Sequence, residues 1–185
     1  MQRRHLLKTL TAATAAAGAS ASAVWTSPFA KVWHESFIKH WQDTKEYTLA
    51  VLEAMPPEGF DLKPNPAQRT FGEQLIHLAR ANAGYFSAFG LLPPPEAPSA
   101  TDKDTARKYV TASFDYVSAV LHKMTEKDLL RTDLGKNNPR YPAHSGTDLY
   151  MRAYMHTAHH RGQVVVYLRV KGITPPAWKF EPTVV

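Results

Sequence analysis

Three histidines fall within five positions near the end of the chain, in the run His156-Thr157-Ala158-His159-His160-Arg161-Gly162-Gln163. The flanking residues read as helix. A helix advances about 100° per residue, so His156 and His160 lie about 40° apart, one turn above each other. Two imidazoles in that relation can hold one divalent ion. On the same wheel Leu149, Ala153 and Tyr167 share their bearing, while His159 turns about 60° the other way, toward Arg152 and Val166. The pair at spacing four is therefore expected to face the core, with His159 at the side. Inward imidazoles are costly unless their nitrogens find partners. A metal ion is one such partner, a hydrogen-bonded core pair is a second, and a His-His-Arg cluster gripping phosphate is a third. The spacing lacks the glutamate of the His-Glu-x-x-His zinc-protease motif, so that mechanism does not carry over.

A third imidazole, His77, is available on an earlier helical stretch. The residues sharing its face, Ala81, Gly84, Ala88 and Gln74, are mostly small. They would leave an open pocket beside His77 or let a neighbouring helix come close. Tyr85 flanks this face and could offer its hydroxyl to a ligand. His34, His40, His122 and His144 read as solvated or partly buried histidines. The chain has no cysteine. Disulfides and thiolate ligands are thereby excluded, and any metal site must use imidazole, carboxylate or water. Asp43 and Glu73 could orient a ligand, but each reads more readily as an exposed helix residue.

These candidates need elements to position them. Four long helical patterns are separated by proline-rich punctuation, over about residues 32–55, 70–89, 101–124 and 146–171. In the first, Val32, Phe37, Trp41, Tyr47, Leu49, Val51 and Leu52 form a broad apolar face that ends at Pro56-Pro57. Thr70 and Glu73 make a capping box for the second, and Thr101 with Asp104 offers another for the third. Gly172, with Pro175-Pro176 beyond, closes the fourth. No comparable run alternates with period two. The expected fold is all-α, a four-helix bundle with long crossover connections at 91–100 or 125–145. The tail from 177, with Trp178 and Phe180, is expected to pack along the outside.

The chain has 185 residues, enough for one domain with a sizeable core. Residues 1–23 stand apart. Arg3-Arg4 is followed by Leu6, Leu7 and Lys8, then a mildly apolar Ala/Thr segment, then Ala21-Ser22-Ala23 as a small-x-small cleavage site. This reads as a twin-arginine-type signal peptide, with 24–185 as the mature domain and a periplasmic or otherwise exported destination. Its middle segment is too short to span a bilayer stably, and no later run is long enough. Removing 1–23 takes away Arg3, Arg4 and Lys8 and no acid, lowering the net charge of +6 by three. The mild basicity that remains makes no case for nucleic acid.

Three stretches together resemble the DinB-like (DinB/YfiT) superfamily of bacterial four-helix-bundle proteins. They are the link from Met55-Pro56-Pro57-Glu58-Gly59-Phe60 to Pro64, the helix start from Arg69-Thr70-Phe71-Gly72 through His77 to Ala79, and the run from His156 through Gln163 to Pro176. The family places one histidine on the second helix and two at spacing four on the last, which match His77, His156 and His160. The resemblance implies a divalent metal on these three, zinc or nickel before iron or manganese, with water completing the shell. Tyr85, Gln74, His159 and Arg161 are then candidates for the pocket or for support behind the ligands. Arg161, Gly162 and Gln163 would be family landmarks, with Gly162 helping helices pack closely.

Three neutral ligands leave the ion's full charge on its open position, which lowers the pKa of bound water to about 7 in the best-known three-histidine zinc site. The reading is therefore a metal-dependent hydrolase or transferase acting on a small molecule through a metal-bound water or substrate. Family members include thiol S-transferases, but export argues against that substrate, since low-molecular-weight thiols are chiefly cytosolic. A non-catalytic metal-binding or sensing module and a purely structural bundle are the alternatives. A homodimer is compatible with any of them.

Overall fold

A computed structural model describes residues 25–136, 143–180 and 182. The signal-peptide assignment to 1–23 and residues 137–142 of the expected 125–145 connection lie outside these residues. Five helices follow in order: α1 (Pro28–Ala54), α2 (Phe71–Ser87), α3 (Lys103–Lys123), the single turn α4 (Glu126–Leu129) and α5 (Gly146–Val170). No strand occurs among the described residues; one isolated antiparallel bridge joins Leu134 to His144. None of these helices is long and apolar enough to cross a membrane.

Side-chain caps set most of the boundaries. Ser27 caps α1 through a bond from the Ala30 N–H, with Pro28 in the first turn. The helix thus begins about a turn before the expected start. The Thr70–Glu73 capping box on α2 forms as expected, at 3.1 and 2.7 Å. The box expected at Thr101 does not form. Asp102 caps α3 instead, accepting from the Thr105 N–H at 3.0 Å, and Asp104 pairs with Arg107. Asp is as good an N-cap as Thr, so the choice between neighbours falls to what surrounds them. Thr101 is held by α2, as described below. At the end of α5, Gly172 adopts φ 78°. The Gly172 and Ile173 N–H groups then return to the Arg169 and Leu168 carbonyls, as in a Schellman motif.

Helix α1 packs against α3 and α5, and α2 against the same two, so α1/α2 and α3/α5 lie on the diagonals. Cross-contacts fix the directions. Lys103 reaches the carbonyls at the end of α1, and Glu126 just after α3 receives Thr26 just before α1. Helix α2 starts beside α3, where Gly72 meets Thr101. It runs parallel to α3, so the connection 88–102 must travel the length of the bundle. The expected long crossover is this one. The connection 124–145, which carries α4, crosses one end. Between the helices lie Trp41, Phe86, Phe114, Leu121 and Tyr150, all buried. Trp41 donates its indole N–H to the Phe114 carbonyl at 3.3 Å.

Two expected core or surface assignments are reversed. Val32 is 58% exposed. His34 is buried, bonding the Tyr150 hydroxyl at 2.8 Å beneath the Trp25 ring. The tail does lie along α1, with Phe180 stacked on His40 at 4.2 Å and Lys179 paired to Glu46.

Candidate metal centre

Helices α2 and α5 run antiparallel and touch along much of their length. Phe71 meets Tyr167 at one end. Five residues after His77, Asn82 donates at 2.8 Å to Oγ1 of Thr157, which directly follows His156, and Thr157 in turn donates to the Ala153 carbonyl. This buried polar contact, which the sequence reading missed, sets the register of the two helices. With that register His77 arrives opposite the His156/His160 pair. The ring centroids are 5.2 Å apart for His77–His156, 4.6 Å for His77–His160 and 4.3 Å for His156–His160. One nitrogen from each of the three lies within 4.8 Å of the others, a grouping able to hold a metal ion.

Hydrogen bonds fix the proton on His160. His160 Nδ1 meets Gln74 Oε1 at 3.1 Å and Gln163 Oε1 at 2.9 Å. Amide oxygens only accept, so Nδ1 carries the proton and Nε2 keeps its lone pair. Gln74 Nε2 donates to Gln163 Oε1 at 2.9 Å and locks the two amides together. Gln163 Nε2 donates onward to His159 Nε2 at 3.1 Å. His156 Nδ1 is buried with no hydrogen-bond partner. A polar atom orphaned in that way is one an ion would satisfy. Three neutral imidazoles, one with its tautomer fixed from behind, fit a borderline divalent ion.

Electrostatics favour the same state. Burial, then the charges His160 and His77 would carry, lowers His156 to about 4. Burial, then His77, lowers His160 to about 4, with Gln163 opposing. His77 is lowered by burial and by Arg69 and Arg80. All three are neutral at pH 7 and ready to donate lone pairs. Their protonation on unfolding also sets a pH dependence. An unfolded histidine titrates near 6.5. Between there and about 4 the unfolded chain binds more protons than the folded one, so folding stability present above pH 6.5 is lost on acidification. Metal-free protein is expected to show a urea midpoint that falls steadily from pH 7 to pH 4.5. A flat profile would mean the imidazoles are not withdrawn from water.

The other expected residues divide. Gln74 stands behind His160, as above. Tyr85 lies edge-on to His156 at 5.7 Å. His159 is exposed and meets His160 edge-on at 4.9 Å; it ends the amide chain and does not join the triad. Arg161 requires a correction. It is 7% exposed and faces α1, donating to the Thr44 carbonyl and Thr48 Oγ1 with its guanidinium over Tyr47. It touches neither the pocket nor the imidazoles, and the phosphate-gripping reading falls with it. Glu73 is occupied as a cap. Asp43, expected to be exposed, is buried on α1 near His40, and it is not grouped with the triad. Gly162 meets nothing within 4 Å of a built Cβ, so it does not serve close packing.

Beside the triad a cavity of about 390 Å³ opens, lined by His77, Ala81, Gly84, Tyr85, Ala88, Gly135, His144, Leu149, Arg152 and His156. The small face of α2 has thus left a pocket. His144 comes from the α4–α5 connection, placed by its bridge to Leu134 at 2.8 and 3.1 Å. The sequence reading had not brought His144 or Arg152 here. Their signal was faint: Arg152 lies one turn before His156, and His144 is in a loop.

An all-helical bundle with three histidines contributed by two facing helices defines the class. The chain belongs to the DinB family, whose model matches residues 27–183. A crystal structure of a DinB-like protein from Bacillus cereus superposes with a TM-score of 0.69 at 25% identity, covering 78% of this chain and 97% of that one. A DinB-like protein from Bacillus subtilis gives 0.62 at 20% identity, covering 77% and 96%, and shows the fold alone. No curated protein matches significantly.

Proposed function

We propose that this chain is an exported, divalent-metal-dependent enzyme, a hydrolase or transferase for a small molecule, with His77, His156 and His160 as ligands of a zinc or nickel ion. The observation that carries the reading is the convergence of three neutral imidazoles, two of which, His77 and His156, also line an open cavity. A bound ion would supply Lewis acidity there, polarising whatever oxygen or sulfur reaches it. The chain supplies the rest. Gln74 and Gln163 hold the His160 ring and its tautomer. Ala81, Ala88 and Leu149 give the cavity an apolar wall and leave room for substrate. Tyr85 and His144 line it and are the groups placed to carry a proton. Export is supported by the Arg3-Arg4 segment and by a route that carries folded proteins, allowing an ion to be loaded before export.

One observation favours the non-catalytic alternative: among the described residues no carboxylate lines the cavity to act as a base. The two separate on protein recovered after native export. Stoichiometric metal by elemental analysis, with esterase or group-transfer activity that disappears in His77→Ala, supports the enzyme. Metal without any activity leaves a binding module, and absence of metal removes the proposal. Lysine at both Arg3 and Arg4 should strand the precursor in the cytoplasm; unimpaired export of that variant would refute the route.

A further inference from the structure

The cavity beside the triad is electrostatically one-sided. Arg152 lines it together with His77, His144 and His156, and among the described residues no Asp or Glu does. Asp148, one turn before Arg152 on α5, lines a second, more open cleft that shares Tyr85, His144, Arg152 and His156 with this one. There its carboxylate caps α5 by accepting from the Ser145 N–H at 3.0 Å. Arg152 is half-buried and stands 5.3 Å from the centroid of the Tyr85 ring, which is itself edge-on to His156. A guanidinium over an aromatic face is steadied through its flat side and presents its donors in its own plane, the geometry that receives a carboxylate. Its charge reaches the site, being among the influences that hold His156 neutral. Ala81, Gly84 and Ala88, along α2 and at its C-terminal end, give the cavity a wall of small residues, and Leu149 of α5 adds an apolar side chain.

We propose that the cavity selects a small carboxylate with a compact apolar body, its anionic group received by Arg152 while the body rests on the α2 wall beside the histidines. The proposal rests on the functional reading above in taking this cavity as the substrate site. A pocket of this size sits at the small end of ligand sites, so a single aromatic or short branched acid fills it. Arg152 is then the specificity-determining residue, distinct from the metal ligands.

Titration calorimetry with benzoate and with its neutral relative benzamide tests this on wild type, Arg152→Gln and Arg152→Lys, each metal-free and zinc-loaded. Wild type is expected to prefer benzoate by about tenfold or more in both states, as one charge-assisted pair would give. Arg152→Gln loses the preference and Arg152→Lys keeps part of it. Equal binding of the two probes, no binding of benzoate, a preference that survives in Arg152→Gln, or one seen only with zinc would each overturn the proposal. Elemental analysis of the same samples keeps the two readings apart. Preference without stoichiometric zinc removes the metal alone, and zinc without preference removes the anion alone.

Discussion

Zinc is expected to raise the melting temperature of the wild-type protein by roughly 10 °C and that of His77→Ala hardly at all. Binding to the folded state alone stabilises by about 4 kcal/mol when free ion exceeds the dissociation constant a thousandfold, and each kcal/mol is worth about 2–4 °C in a domain of this length. His77 supplies one of the three nitrogens grouped to hold an ion and, among the described residues, the one that comes from α2. Without it the remaining pair on α5 is an i,i+4 site open to water on its far side. His156→Ala and His160→Ala should behave alike. His159→Ala should keep the full shift, because His159 is exposed and outside the group. Gln74→Ala and Gln163→Ala should weaken zinc about 10- to 100-fold, the usual cost of losing support behind a ligand. Equilibrium dialysis and thermal melts decide the matter. A His77→Ala protein that binds zinc as wild type does would place the ion elsewhere.

The same chemistry explains what could be read from the residues and what could not. His156 and His160 share a face because 3.6 residues make a turn, and His77 sits among small residues that leave space; both facts are local. The direction of the core was less accessible. The wheel centred it on the bearing of Leu149 and Tyr167. In the bundle α5 packs against both α1 and α2, and Tyr150, Thr157, Arg161, Val164 and Leu168 are buried as well. These fall about 80–140° from His156, so the middle of the buried arc lies well past the histidines. The triad therefore occupies the shoulder of that arc, which is why His156 is only half-buried and a cavity reaches it. Arg161 was misplaced for the same reason. It is not beside its sequence neighbour His160 but a quarter-turn further round, over Tyr47 of α1. Helix limits were legible wherever a cap had one candidate. Where two adjoined, as at Thr101 and Asp102, a contact from a distant helix decided.

That contact also predicts the most damaging small substitution outside the site. Gly72→Ala is expected to destabilise the fold by about 3 kcal/mol or more, at the upper end of what overpacking costs, against a total of about 5–15 kcal/mol for a domain. A Cβ on Gly72 would stand 2.0 Å from the Thr101 carbonyl oxygen and 3.0 Å from its carbon. Neither backbone can withdraw easily. The Gly72 N–H is bonded to the Phe60 carbonyl at 3.0 Å and the Phe71 N–H to the Leu62 carbonyl at 3.1 Å. The Thr70–Glu73 box holds the same turn from the other side. Thr101 in turn immediately precedes the Asp102 cap of α3. If α2 shifts to relieve the clash, His77, five residues on, moves relative to α5, so zinc affinity should fall with stability. Gly162→Ala supplies the contrast on the helix that carries the other two ligands. Gly162 is exposed with nothing near its Cβ position, and alanine there should stabilise by about 0.5–1 kcal/mol through helix propensity alone. Urea unfolding of the two variants, with zinc titrations on each, makes the comparison. Equal stability for Gly72→Ala and wild type would show that α2 and α3 do not meet at Thr101, and the placement of His77 opposite α5 would lose its support.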